Sequence, residues 1–161
     1  TVALEDHGLG LTYPVPSMIM KHWAPGSLSK ELAEDREGYR RALSAVRKVP
    51  EPSRPEGKAY INYWVGRLKF GIGYIDTIEA VRKAATAEQA AKDAKEKGDA
   101  SGYRVLLTEA IEQTKAAVEA ARKTLEVFAK VAKNQSDRGA IATMAEYVYR
   151  PLKQKVGDLM N

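Results

Sequence analysis

Residues 60–81, YINYWVGRLKFGIGYIDTIEAV, become apolar on two faces at once when wound as a helix. Ile61, Trp64, Val65, Leu68, Ile72 and Ile75 form one stripe, and Tyr60, Tyr63, Phe70, Tyr74, Ile78 and Val81 form the other. A surface helix hides a single stripe and leaves the rest to water, so this one has to be covered from two directions. Either it is the central rod of a helical bundle, or its second stripe, with Tyr63, Phe70 and Tyr74, docks on a surface supplied from outside the chain. Gly66 and Gly73 lie seven apart on a third face, and each costs about 1 kcal/mol relative to Ala in an exposed helix interior. They call for close approach of a neighbouring backbone, with a ligand lying on the glycine face as the alternative. GRLKFGIG lacks both a preceding strand and the residue spacing of a phosphate-binding loop.

The remaining punctuation is helical. Ser27 or Ser29 caps a first helix ending near Lys48, with Leu28, Leu32, Tyr39, Leu43 and Val46 on its inner side. The stiff connector VPEPSRPEG leads to the second helix, expected from about Glu56 to Lys97. Its latter half, AATAEQAAKDAKEKGDA, has no large apolar anchor and is expected to project or fray as the tip of the bundle. A third helix, from about Tyr103 to Lys133, shows a heptad seam through Leu107, Ile111, Thr114, Val118, Ala121, Leu125, Phe128 and Ala132.

Ser136 or Asp137 caps a fourth helix, whose stripe runs through Ile141, Met144, Ala145, Val148, Leu152, Val156 and Leu159. Pro151 interrupts it, removing the backbone bond to the carbonyl of Tyr147 at a cost of about 3 kcal/mol, so a local kink is expected. Tyr149 falls at the rim of the stripe, while Tyr147 and Arg150 point away from it and, with Lys153, make a possible contact surface. Short connectors between long helices predict an all-α fold: an up-and-down antiparallel bundle of three to four helices over residues 28–161, preceded by a Pro-rich strap over residues 1–27. Within the strap, Met18, Ile19 and Trp23 are expected to pack onto the bundle.

A chain of 161 residues suffices for one domain with a real core. It has no cysteine, which excludes disulfides and thiolate sites. Its net charge of +5 is interleaved with acidic residues along the sequence, so nucleic acid is an unlikely partner. No apolar run approaches the length of a membrane span, and the first residues lack the basic segment of a signal peptide. A start at Thr1 is expected of a processed product or of a piece of a longer protein.

Catalytic constellations are sparse. His7 and His22 are the only histidines, without the spacing that sets two ligands on one helical face; Glu5, Asp6 and His7 make the sole, thin metal candidate. No metal and no cofactor is expected. Asp76 and Glu79 lie beside the apolar stripe of the second helix, where burial would raise a carboxyl pKa, although Lys83 four residues on favours an ordinary surface pair. With Arg67, Tyr74 and Arg150 they are the groups from which an internal pocket would have to be built.

YINYWVGRLKFGIGYIDTIEAV, the Ala- and Glu-rich helix after it, and SDRGAIATMAEYVYRPLK resemble the helical region near the C-terminus of large multidomain bacterial proteins of the glycoside-hydrolase kind, over residues 57–156. In those proteins a separate barrel carries the sugar chemistry, so the resemblance implies a non-catalytic helical module, transfers no catalytic carboxylate, and points to a periplasmic or secreted setting. No strand-rich segment is present that would form such a barrel. The expected function is an accessory module that docks on another domain of a parent protein, or forms a homo-oligomer, through Tyr63, Phe70, Tyr74, Tyr147 and Arg150. The alternative is a small helical enzyme or ligand-binding bundle with an internal pocket.

Overall fold

The computed structural model describes residues 17–161, so the metal candidate Glu5, Asp6 and His7 lies outside the described residues. Helix α1 spans Lys30–Arg47, α2 Pro55–Glu96, α3 Ala100–Ala129, α4 Gln135–Met144 and α5 Arg150–Met160, with a π turn at Ala145–Tyr149 joining the last two. A single 3₁₀ turn, Met20–His22, lies in the strap, and no strand occurs among the described residues. The fold is all-α, as the periodicity predicts.

Local chemistry sets the boundaries. Ser29, not Ser27, caps α1 by accepting a hydrogen bond from the Leu32 amide, and Pro55 opens α2, where its missing N–H costs nothing. Gly98 takes the left-handed φ of +75° that turns the chain, and Asp99 caps α3 on Gly102. Asn134, rather than Ser136 or Asp137, is the N-cap of α4, and Asp137 closes a reciprocal capping box with it.

At 42 residues, about 63 Å, α2 is the longest helix; α1 and α3 pack on it directly, while the last helix packs closest to α3 and meets α2 through side chains. Helix α1 runs antiparallel to it, with the Tyr39 ring against Gly71 and Arg36 opposite Asp76 and Glu79. Helix α3 is also antiparallel: a Cβ on Gly66 would come 2.2 Å from Val131, and one on Gly73 2.1 Å from the Thr124 hydroxyl. The glycine face is therefore filled by this neighbour. The last helix runs parallel to α2, from Asp137 beside Tyr63 to Lys155 beside Glu88.

From Phe70 onward the second apolar stripe of α2 is enclosed, while Tyr60 at its start is exposed. Phe70, Tyr74, Ile78 and Val81 are buried with Met18 and Ile19 of the strap, Phe128 of α3, and Met144, Val148 and Leu152 of the last helix. Phe70 and Tyr74, expected among the docking aromatics, are 3% and 0% exposed and present nothing to a partner, because the strap and last helix occupy the side they face.

Close approach of α2 and α3 also moves the seam of α3. The residues buried there are Ala110, Thr114, Ala117, Ala121, Thr124 and Phe128, whereas Leu107, Ile111, Val118 and Leu125 of the expected heptad are only half-buried. Gly66, Gly73, Ala84 and Ala91 let the two backbones come so near that only small side chains fit between them. The same small-residue contact holds the Ala-rich half of α2 in place: Ala84, Ala85, Ala87, Ala91 and Ala94 are buried, so that half packs against α3 rather than fraying.

A π turn directly precedes Pro151 and interrupts the α-helix there. The Arg150 amide reaches the Ala145 carbonyl five residues back, and the wider turn carries the helix over the missing donor. The extra residue in that turn also keeps Met144, Val148 and Leu152, spaced four and four, on one buried line. It swings Tyr147 inward against the core cluster instead of away from it, and Tyr149 packs there too.

Candidate functional site

The titratable groups singled out in the sequence form two separate nodes. In the first, Asp137 is 1% exposed and accepts hydrogen bonds from the Tyr63 hydroxyl at 2.9 Å, Arg67 Nη1 at 3.1 Å and the Lys133 amide at 2.9 Å. Burial alone would raise this carboxyl; the donors from Lys133, Tyr63 and Asn134 and the Arg67 charge outweigh it, so its pKa lies below the ordinary aspartate value. Tyr63, expected to dock, is thus tied into the joint between α2 and α4.

In the second node, Arg36 Nη1 bridges Asp76 Oδ1 at 2.9 Å and Glu79 Oε2 at 2.7 Å. Glu79 forms the ordinary pair that its spacing from Lys83 favoured, and its hydrogen bond to Arg36 holds it below the usual carboxylate range rather than above it. Lys83 stands 4.0 Å away as a secondary partner. Arg67 faces the first node, Asp76 and Glu79 line different surface clefts, and Arg150 lines a third along α5 while pairing with Glu146 at 2.7 Å. Tyr74 is buried with its hydroxyl unbonded, and burial raises its pKa. No acid, base and nucleophile converge among the described residues. Among the described residues no group of three His, Asp or Glu side chains is placed to hold a metal.

A latch that the sequence did not disclose fixes the strap. Trp23 Nε1 donates to Glu88 Oε2 at 2.7 Å, Lys155 Nζ lies 3.0 Å from Glu88 Oε1 and 4.8 Å from the centre of the Trp23 ring, and the Gly26 amide donates to the Thr86 hydroxyl at 3.0 Å. Lys155 and the Trp23 indole offset the burial of Glu88, whose pKa is lowered. His22, next to Trp23, is pushed down to about 4 by burial, with Lys21 and Arg82 adding to the effect.

With the strap and last helix on one side of α2, α1 on another and α3 on a third, its fourth side lies open. Two clefts follow one another along that side. The first, about 650 Å³, runs between Leu43 of α1 and Ala116, Ala120 and Val127 of α3, over a floor of Lys69, Ile72, Gly73 and Asp76. The second, about 560 Å³, continues over Lys83, Ala87 and Ala90, between Gly26–Leu28 and Leu106, Glu109 and Gln113. Together they make a trough whose floor and α3 wall both advance in steps of three and four residues. None of the family models, curated proteins or solved structures compared with the chain matches it.

Proposed function

We propose that the chain is a non-catalytic docking module that receives an amphipathic helix in the trough between α3 on one side and α1 with Gly26–Leu28 of the strap on the other. One observation carries the reading: α2 is enclosed on three sides, and its open fourth side has the three-four residue rhythm of a helix-packing seam. From Lys69 to Ala90 the floor is about 30 Å long, the length of a helix of about 20 residues. Small residues, Ala116 and Ala120 in the wall and Ala90 in the floor, leave room for larger side chains from the occupant.

Charge narrows the occupant. Lys69, Asp76 and Lys83 recur every seven residues along the floor, and Asp76 is already held by Arg36 and Arg40. An occupant with carboxylates about fourteen residues apart, on either side of an apolar stripe, answers the two lysines. The resemblance of residues 57–156 to multidomain glycoside-hydrolase proteins makes a neighbouring domain of a parent chain the natural donor of that helix. The docking surface differs from the aromatic one expected, since Phe70 and Tyr74 are buried.

Selection of helical peptides from a displayed library of randomised 21-residue amphipathic sequences tests the reading. Enriched peptides should share an apolar stripe flanked by acidic residues at that spacing. Their binding should fall at least tenfold when Ala116→Phe and Ala90→Phe fill the trough. Enrichment of non-helical sequences, or binding indifferent to these substitutions, would refute it.

A further inference from the structure

Basic and acidic residues alternate along the sequence, but the fold sorts them. Antiparallel packing brings the C-terminal halves of α1 and α3 together with the N-terminal halves of α2 and α4, since Tyr39 meets Gly71, Val131 meets Gly66 and Asp137 meets Tyr63. That end, residues 38–76 and 119–141, holds 13 Lys and Arg against 6 Asp and Glu, 13 − 6 = +7. The other described residues, 17–37, 77–118 and 142–161, hold 13 of each, 13 − 13 = 0. All the positive excess of the described chain sits at one end of the bundle.

Helix dipoles do not account for this. Two helix C-termini and two N-termini meet there, so their partial charges oppose one another. Cations at the ends of α1 and α3 are favourable, but Arg54 at the N-cap of α2 and Arg138 in the first turns of α4 run against the dipole. Arg41, Arg47, Lys48, Arg54, Lys130 and Arg138 are exposed and form no ion pair among the described residues. Clustered like charge without partners works against folding, so stability does not explain the arrangement.

Two further features share this end. Arg40, Ser44, Arg47 and Lys48 surround Leu43 in a notch of about 400 Å³, three cations and a hydroxyl around an apolar base. Tyr60, 60% exposed, stands edge-on to Trp64 with ring centres 6.2 Å apart. Cations interspersed with a solvent-facing aromatic are the means by which proteins hold a flexible phosphate backbone while its bases stack. A membrane surface would call for a contiguous apolar face to insert, and of the exposed large apolar residues only Val49 and Tyr60 lie at this end, Val105 and Met160 lying elsewhere.

We infer that the basic end of the bundle binds single-stranded nucleic acid, with Arg47, Lys48 and Arg54 on phosphates and Tyr60 as a stacking platform. This goes beyond the helix-docking trough and uses different residues. The full chain would be titrated into a fluorescein-labelled 20-nucleotide dT strand, and into a U-rich RNA of the same length, with anisotropy read from 50 to 200 mM salt. Contact with about five phosphates gives a logarithmic salt slope near −3.5, an affinity loss of about a hundredfold over that range.

Combining Arg47→Glu, Lys48→Glu and Arg54→Glu should weaken binding at least tenfold. Lys95→Glu, Lys97→Glu and Lys153→Glu, the same change in net charge elsewhere, should weaken it less than threefold, with both variants melting as cooperatively as the parent. Tyr60→Ala should cost about fivefold or more without changing the salt slope. Ala116→Phe with Ala90→Phe should leave the strand bound, which separates this site from the trough. Equal losses in the two charge-reversal variants would overturn the inference, as would absence of binding at 50 mM salt. So would association with phosphatidylserine vesicles that the oligonucleotide does not compete away.

Discussion

Replacing Asp137 by alanine should destabilise the protein more than any other single change to its polar groups. The carboxylate accepts from Tyr63, Arg67 and the Lys133 amide within 3.1 Å and completes the capping box of α4. Hydrogen bonds to a charged partner contribute about 1.5–3 kcal/mol each, and the burial cost of the carboxylate offsets part of their sum. Removing one member of such a buried set costs about 3–5 kcal/mol, because the Tyr63 hydroxyl and the Lys133 amide lose their acceptor and the Arg67 guanidinium its carboxylate. For a chain of this size that is a fall in Tm of about 6–20 °C.

Urea unfolding at pH 7 of the parent, Asp137→Ala and Asp137→Asn would give the values directly. Asn keeps the shape but turns an amide donor toward a ring of donors, so it should recover little. The acid limb adds a second readout. Because the folded pKa of Asp137 lies below its unfolded value, its contribution is present above about pH 4 and is lost as pH falls through the folded pKa. The parent should therefore lose stability below about pH 4 more steeply than Asp137→Asn. A loss below about 1 kcal/mol in Asp137→Ala would refute the account.

Other expectations are as direct. Gly73→Ala drives a methyl group into the Thr124 side chain and should cost about 1–3 kcal/mol despite better helix propensity, whereas Gly157→Ala, with open space around it, should stabilise by up to about 1 kcal/mol; chemical denaturation of both separates packing from propensity. His22 has a folded pKa near 4, below its unfolded value of 6.5. Its neutral form favours the fold, so stability should decline as pH drops from 6.5 toward 4, and His22→Gln should flatten that decline in melts across the window.

What the sequence disclosed and what it hid divide along a physical line. Repeating apolar residues made the helices, their order and the central place of α2 legible, because burial follows periodicity. Gly66 and Gly73 pointed to a close neighbour for the same reason. In the seam of α3, Thr114, Ala121 and Phe128 are buried as expected, but the row of Ile111, Val118 and Leu125 gives way to Ala110, Ala117 and Thr124 one residue earlier, because hydrophobicity ranks the larger residues higher while the gap beside a glycine-bearing helix favours the smaller ones. Tyr147 was placed on the wrong side because nothing in AEYVYRP announces a π turn. Arg36 with Glu79, and Trp23 with Glu88, join residues 43 and 65 positions apart, and no local pattern brings such partners together. The charged end was hidden for a related reason: alternation along the chain disappears once four helices are laid side by side.

The turn between α2 and α3 also bears on how the molecule comes to be folded. Only Lys97, Gly98 and Asp99 separate the two longest helices, so the most extensive interface joins segments adjacent in the chain and costs little loop entropy to close. That hairpin should form early and hold most of the transition-state structure, with the strap joining last, when Trp23 reaches Glu88 across 65 residues of sequence. Substitutions at Ala84 or Ala117 should then slow folding, and substitutions at Trp23 should mainly speed unfolding, so that the molecule comes apart from the strap inward.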